Sequence, residues 1–154
     1  MSQVRAIPEG YSTLTLFLNV NGAAEAIEFY KKAFGAEEIM RAPDPSGKKI
    51  WHSQLRISGS ALFVNDAFPE MGGGGAQPAC LWIYGEDVDK RWKRAVDAGC
   101  TVKMPLMEQF WGDKMGVCTD KWNITWCLSQ HMKDMTPAEM KKAEQEFIAK
   151  MPKK

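Results

Sequence analysis

His52, Cys80 and Cys127 are the residues of this chain best suited to chemistry, and Trp82 and Trp111 the best suited to hold something against them. A neutral imidazole moves protons near neutral pH, so His52 is the candidate acid–base group. The alternative is a structural histidine hydrogen-bonded to a neighbouring strand. His131, the other histidine, falls past the last predicted strand and reads as structural or exposed. Cys80 and Cys127 are candidate nucleophiles without an evident base; the alternative is small core-like packing. Trp111 sits in Phe110-Trp111-Gly112-Asp113, a bend that its glycine permits. It is either a ligand contact or a packing residue. The sequence carries no evident Ser-His-Asp arrangement and no phosphate loop.

The elements that must position these residues are legible as two periodicities. From Thr13 to Val20 the chain alternates, with Leu14, Leu16, Leu18 and Val20 on one face and Thr13, Thr15, Phe17 and Asn19 on the other. Asn21-Gly22 ends that strand and can start a helix. Ala23 to Phe34 carries a helical stripe of Ala23, Ile27, Tyr30 and Phe34, and Gly35 caps it. Short strands are predicted at Glu37–Arg41, Ile50–Ile57 and Ala61–Asn65. In the second, Trp51, Leu55 and Ile57 oppose His52, Gln54 and Arg56. Pro69 to Pro78, with four consecutive glycines from Gly72 to Gly75, reads as a flexible link.

The order then restarts. Cys80–Tyr84 reads as a strand, Asp87 as an N-cap, Val88, Trp92, Ala95 and Val96 as a helical stripe, and Gly99 as its end. Strands follow at Cys100–Met104, Met115–Thr119 and Ile124–Leu128, with a turn at Asp120-Lys121-Trp122-Asn123. Thr136-Pro137-Ala138-Glu139 matches a capping box, and Met140, Ala143, Phe147, Ile148 and Met151 form an apolar stripe behind it. The reading is α+β: one domain over 1–154, with a first βαβββ module over about 11–68, a link over 69–78, a second module over about 79–131, and a C-terminal helix over about 136–151.

Helices cover one face of each sheet, so the other face is forced. It carries Thr15, Phe17, His52, Gln54, Phe63, Cys80, Trp82 and Cys127. That mixture suits a curved mixed sheet around a partly wet cleft. The alternatives are a solvated sheet face, or one covered by a second subunit. Thr15, Phe17, His52, Gln54, Cys80, Trp82, Trp111 and Cys127 are therefore the candidate ligand-binding residues, and His52 the candidate catalytic one.

Bulk composition narrows the function classes. A net charge of +1 gives no reason to expect nucleic acid or an anionic membrane surface. The sequence shows no membrane-length apolar run and no signal-peptide core near its start, so a cytoplasmic location is expected. Four cysteines without CxxC spacing read as free thiols. Ten methionines and six tryptophans fill a core or line an adaptable pocket.

The βαβββ-βαβββ order, Glu25-Ala26-Ile27-Glu28-Phe29-Tyr30, Phe34-Gly35-Ala36-Glu37, Ile50 to Ile57, Phe110 to Asp113 and Asp120 to His131 together resemble the PhnB-like branch of the glyoxalase/bleomycin-resistance/dioxygenase (vicinal oxygen chelate) superfamily. The resemblance runs from about Pro8 to Glu139. It implies a cleft for a small molecule and a homodimer. It also implies metal ligands on the first and last strand of each module, near Thr15, Phe63, Cys80 and Cys127. Hydroxyl, phenyl and two thiols are not the usual nitrogen and oxygen donors, so no metal or other cofactor is expected. The chain also departs from the branch, reading His52-Ser53-Gln54 for His-Ala-Glu and Asp120-Lys121-Trp122-Asn123-Ile124 for Asp-Pro-Phe-Gly-His. The expected function is small-molecule binding without a defined activity. The alternative is a metal-dependent lyase, dioxygenase or thiol transferase.

Overall fold

The computed structural model describes residues 4–72 and 74–152. The order is β1 (Leu16–Val20), α1 (Ala23–Phe34), β2 (Glu37–Pro43), β3 (Ile50–Ile57) and β4 (Ser60–Asp66), a short 3-10 turn at Pro69–Met71, then β5 (Ala79–Tyr84), α2 (Val88–Ala98), β6 (Thr101–Glu108), β7 (Asp113–Thr119), β8 (Ile124–His131) and α3 (Pro137–Lys150). Two four-stranded sheets result, ordered β1-β4-β3-β2 and β5-β8-β7-β6. In each, the first strand runs parallel to the last and the other pairs are antiparallel. The expected two βαβββ modules and C-terminal helix are present. The sheets stay separate, so β1 and β5 each have an edge unpaired by the other sheet.

Each module caps its helix from its own last strand. Asp66 Oδ1 accepts from the Gly22 and Ala23 N–H groups at 2.8 and 3.1 Å, and Oδ2 from Ile50 N–H at 2.7 Å. In the second module Gln130 Oε1 accepts from Val88 N–H at 3.0 Å. This corrects the expectation for Asp87. It holds the N-cap position in a left-handed conformation, and its side chain makes no cap bond. The capping box of α3 forms as expected, with Glu139 Oε2 accepting from Thr136 N–H at 2.8 Å and Thr136 Oγ1 from Glu139 N–H at 3.3 Å.

The modules are fastened to one another at both ends of α1. Trp122 Nε1 donates to the Asn21 carbonyl at 3.0 Å, and Lys121 pairs with Glu25. At the other end Arg94 of α2 donates to the Lys32 and Lys31 carbonyls at 2.7 and 2.9 Å, placing a cation where the helix leaves its carbonyls unpaired. Between these clasps lies an aromatic core. Phe34 stacks on Trp126 with centroids 4.1 Å apart, Tyr30 meets the same indole edge-on, and Trp126 Nε1 donates to Asp120 Oδ2 at 2.9 Å.

Two details of the sequence reading fail. β1 begins at Leu16, and Leu14 is 88% exposed and Leu16 39% exposed rather than packed under the helix. The alternation there is real, but Leu14 precedes the strand and neither leucine is packed into the core. Trp51, expected in the core, is 45% exposed, next to the register irregularity between Ala42 and Pro43; Ile50 is buried instead. No residue of α3 is buried within this chain, so its apolar stripe, which reads as needing cover on this subunit or on a partner, is not enclosed here.

Candidate functional site

The two edges left free by separate sheets define a cleft of about 850 Å³. β1 and the chain leading into it supply Tyr11, Thr15 and Phe17, and β5 supplies Cys80, Trp82 and Tyr84. Leu81 and Trp126 reach it from the core side, so its floor is apolar and buried. Phe17 and Trp82 are each about half exposed, which leaves two aromatic faces open to an occupant. A volume of this size is within the range that takes a drug-sized molecule.

Cys80 and Cys127 meet where β5 pairs with β8; Cys80 lines the cleft, but Cys127, expected there too, does not. Trp82 is the register partner of Cys127, so Cys80 lies diagonally across from it, and the two Sγ atoms are 3.9 Å apart. Cys80 is exposed and Cys127 buried. Burial first, then the neighbouring Cys80, pushes the Cys127 thiol up to about 11.

His52 and Gln54 lie elsewhere, half-buried on β3, and neither lines the cleft. They form a chain with Tyr11, whose hydroxyl donates to Gln54 Oε1, while the Gln54 amide nitrogen lies 3.2 Å from His52 Nε2. With the amide so oriented, Gln54 donates and His52 Nε2 accepts, leaving the ring proton on Nδ1. Phe63 packs under this chain, its ring 4.8 Å from that of His52 and 5.7 Å from that of Tyr11. Through Tyr11 the group touches the cleft from one side.

Trp111 is also outside the cleft. It sits in the turn between β6 and β7, edge-on to Phe110, beside a polar cluster that sequence reasoning missed. Buried Asp113 accepts from Tyr84 Oη at 2.8 Å, Ser129 Oγ at 3.3 Å and His131 Nδ1 at 2.8 Å. His131 Nε2 reaches Asp134 at 3.0 Å. Burial pushes the Asp113 carboxyl up, but the hydrogen bonds from His131, Tyr84, Trp111 and Ser129 together outweigh it and hold it below its ordinary value. The bonds from Asp113 and then Asp134 raise His131. The signal for this cluster was the β7–β8 register, which pairs Asp113 with His131. That register is visible only once both strands are extended beyond their alternating cores.

The metal positions that the resemblance implies carry few donors. Phe63 has no donor atom, and Thr15 offers one hydroxyl. Among the described residues no three His, Cys, Asp or Glu side chains converge as a divalent cation requires. The residues do not fit a conventional divalent site.

The comparisons agree with the fold. The profile of the Glyoxalase/Bleomycin resistance protein/Dioxygenase superfamily matches residues 13–128, and the chain belongs to that superfamily. It is similar to the uncharacterized protein Mb0911c of Mycobacterium bovis, 40% identical over 138 residues that span 84% of this chain and 90% of that one. Among solved structures, TioX from Micromonospora sp. ML1 superposes with a TM-score of 0.66 at 22% identity, over 79% of this chain and 99% of its own. TnmS3 from Streptomyces sp. CB03234, an antibiotic binding protein, does so with a TM-score of 0.61 at 21% identity, over 83% of this chain and 99% of its own. No helix among the described residues is long and apolar enough to cross a membrane.

Proposed function

We propose that this chain binds a small, partly aromatic organic molecule in the cleft between β1 and β5, as a sequestering protein of the PhnB-like branch. The observation that carries the reading is the cleft itself. It pairs the open faces of Phe17 and Trp82 with a few polar groups, the Tyr11 and Thr15 hydroxyls and the Cys80 thiol. Flat apolar walls supply affinity and sparse polar groups supply orientation. A fold shared with an antibiotic binding protein supports it. The motifs from Ile50 to Ile57 and from Asp120 to His131 support the branch.

Binding on this reading needs no divalent metal, because the donor set lacks the nitrogen and oxygen ligands that a superfamily enzyme uses. It needs no proton transfer from His52, which does not line the cleft. The protein is proposed to act as a homodimer, with the uncovered stripe of α3 as part of the contact.

The test is a thermal-shift screen of aromatic small molecules, run with and without EDTA, on the wild type and on a Phe17→Ala/Trp82→Ala variant. Ligands are expected to raise the wild-type Tm equally under both conditions and to lose that shift in the variant. Shifts that need metal, or that survive the double substitution, would overturn the reading.

A further inference from the structure

We propose that Arg91 and Arg94 hold a small monovalent anion, of the size of chloride, at the seam between the two modules. The site is separate from the cleft and does not rest on the binding reading.

A second cavity, of about 30 Å³, lies where the modules meet. Phe34 and Ile57 line it from the first module, Ile83 and Leu128 from the second. Its polar side chains are Arg91 and Arg94, one turn apart on α2, and no carboxylate lines it. Arg94 donates from Nε and Nη2 to the Lys32 and Lys31 carbonyls. Arg91 has no such outlet. Among the described residues its Nη1 is buried without a hydrogen-bond partner. Burial alone acts on its pKa and pulls it down, with no carboxylate to offset the loss of solvent. Gly85 makes room for this guanidinium: a Cβ there would stand 2.6 Å from Nη1.

An arginine stays charged near neutral pH, so burying part of it unpaired costs more than burying a neutral polar group. A like charge one helical turn away adds to that cost. A water fits the space, since one needs only about 10–15 Å³. Its hydrogens, however, find no acceptor among the lining side chains, because guanidiniums only donate and the others are apolar. An anion only accepts, and it also supplies the missing charge. The volume admits a small ion and excludes an aromatic ligand. Arg94 is exposed, which gives the ion a route in from solvent. Ile57 and Ile83 line the cleft as well, so the ion sits behind the cleft wall and bridges the same two modules that form it.

The experiment melts the full chain at constant ionic strength while sodium chloride replaces sodium gluconate, whose anion is too large for the cavity. The wild-type Tm is expected to rise by about 2–4 °C and then level off. Arg91→Met keeps an apolar stem and removes the charge. Its Tm is expected to ignore the exchange and, in gluconate, to equal or exceed that of the wild type, because no unpaired charge is left buried. A wild-type Tm that is the same in both salts would overturn the proposal and assign the cavity to water. A chloride rise that survives Arg91→Met would overturn it too, by placing the ion elsewhere. Crystals of the wild type soaked in bromide give an independent readout, with an anomalous peak expected beside Arg91 and Arg94. Bromide found only at other places would sink the proposal, and that result stands even if Arg91→Met folds poorly.

Discussion

His131 and Asp113 are register partners at one end of the β7–β8 pair, and the imidazole Nδ1 donates to the carboxylate Oδ1 at 2.8 Å. Both nitrogens of that imidazole meet carboxylates, Asp113 on one and Asp134 on the other. The pair ties the end of the second sheet to the segment that leads into α3.

A pH dependence follows. His131 is raised above its ordinary 6.5 by the Asp113 bond first and the Asp134 bond second. A raised histidine contributes stability that is complete below pH 6.5 and lost as pH rises through the folded-state value. Asp113 is held below its ordinary 3.8, so its contribution is present above that pH and lost as pH falls through the lower folded value. Thermal melts of wild type and His131→Gln from about pH 5 to about pH 9 should show the Tm gap widest at the acid end and closing toward the alkaline end. A gap that widens with pH would show that the imidazolium does not support the fold.

Asp66 is the second test of a long-range bond. Its carboxylate satisfies three backbone N–H groups, two at the start of α1 and one at the start of β3. Asp66→Ala leaves those donors unpaired and should cost about 1–3 kcal/mol in urea unfolding. Asp66→Asn keeps one acceptor and should cost less than Asp66→Ala. Equal losses in the two variants would mean that the carboxylate's hydrogen bonds are not what the fold loses.

These two residues show what the sequence made legible and what it did not. Strand and helix periods, the glycines that end α1 and α2, and the capping box of α3 are local patterns, and the structure matches them. Asp66 caps a helix from 44 residues away, and Asp113 meets His131 across 18, so no local window contains either pair. Leu14 and Leu16 misled for a related reason. Alternation shows which residues share a face, not whether that face is covered. Placement of the candidate residues divided in the same way. Thr15, Phe17, Cys80 and Trp82 fell together because they lie on the two first strands, β1 and β5. His52 and Gln54 share their face but sit on an inner strand. Trp111 belongs to a turn whose position depends on how far β6 and β7 extend.

Gly112 tests how that turn holds the C-terminal segment. Its φ is +95°, and its carbonyl accepts from Met132 and Lys133 N–H at 2.9 and 3.0 Å. A Cβ there would stand 2.3 Å from the Lys133 carbonyl oxygen, a backbone atom that cannot turn aside. Gly112→Ala should destabilise the chain by more than about 1 kcal/mol. It should also speed amide exchange at Met132 and Lys133. Unchanged exchange at both would show that the turn does not anchor this segment.

Trp82 separates binding from stability. Its side chain is about half exposed on the cleft wall, so Trp82→Ala removes little core packing and should change stability by no more than about 1 kcal/mol. The same change takes away one aromatic wall. Affinity for an aromatic ligand found by the screen should fall about tenfold or more, the order expected of an aromatic contact at the centre of a site. Calorimetry on both proteins decides it. Equal affinities would remove Trp82 from the site.

The last prediction concerns α3. Among the described residues its apolar stripe is only partly covered: Phe147, Ile148 and Met151 are roughly half exposed, and Phe147 meets Phe110 at 5.1 Å. A capping box fixes where this helix starts, so its exposure does not come from a frayed end. A formed amphipathic helix with an open apolar face is stabilised by laying that face on another surface. A second copy of the chain presents the same stripe, and a two-fold contact would cover both at once. Phe147→Asp/Ile148→Asp puts two charges on the stripe without touching any buried residue. The wild type should therefore sediment as a dimer at micromolar concentration and the variant as a monomer, with the monomer's own unfolding little changed. A dimer that persists in the variant would assign the contact to another surface. A wild type that is monomeric throughout would leave α3 uncovered and end the dimer reading.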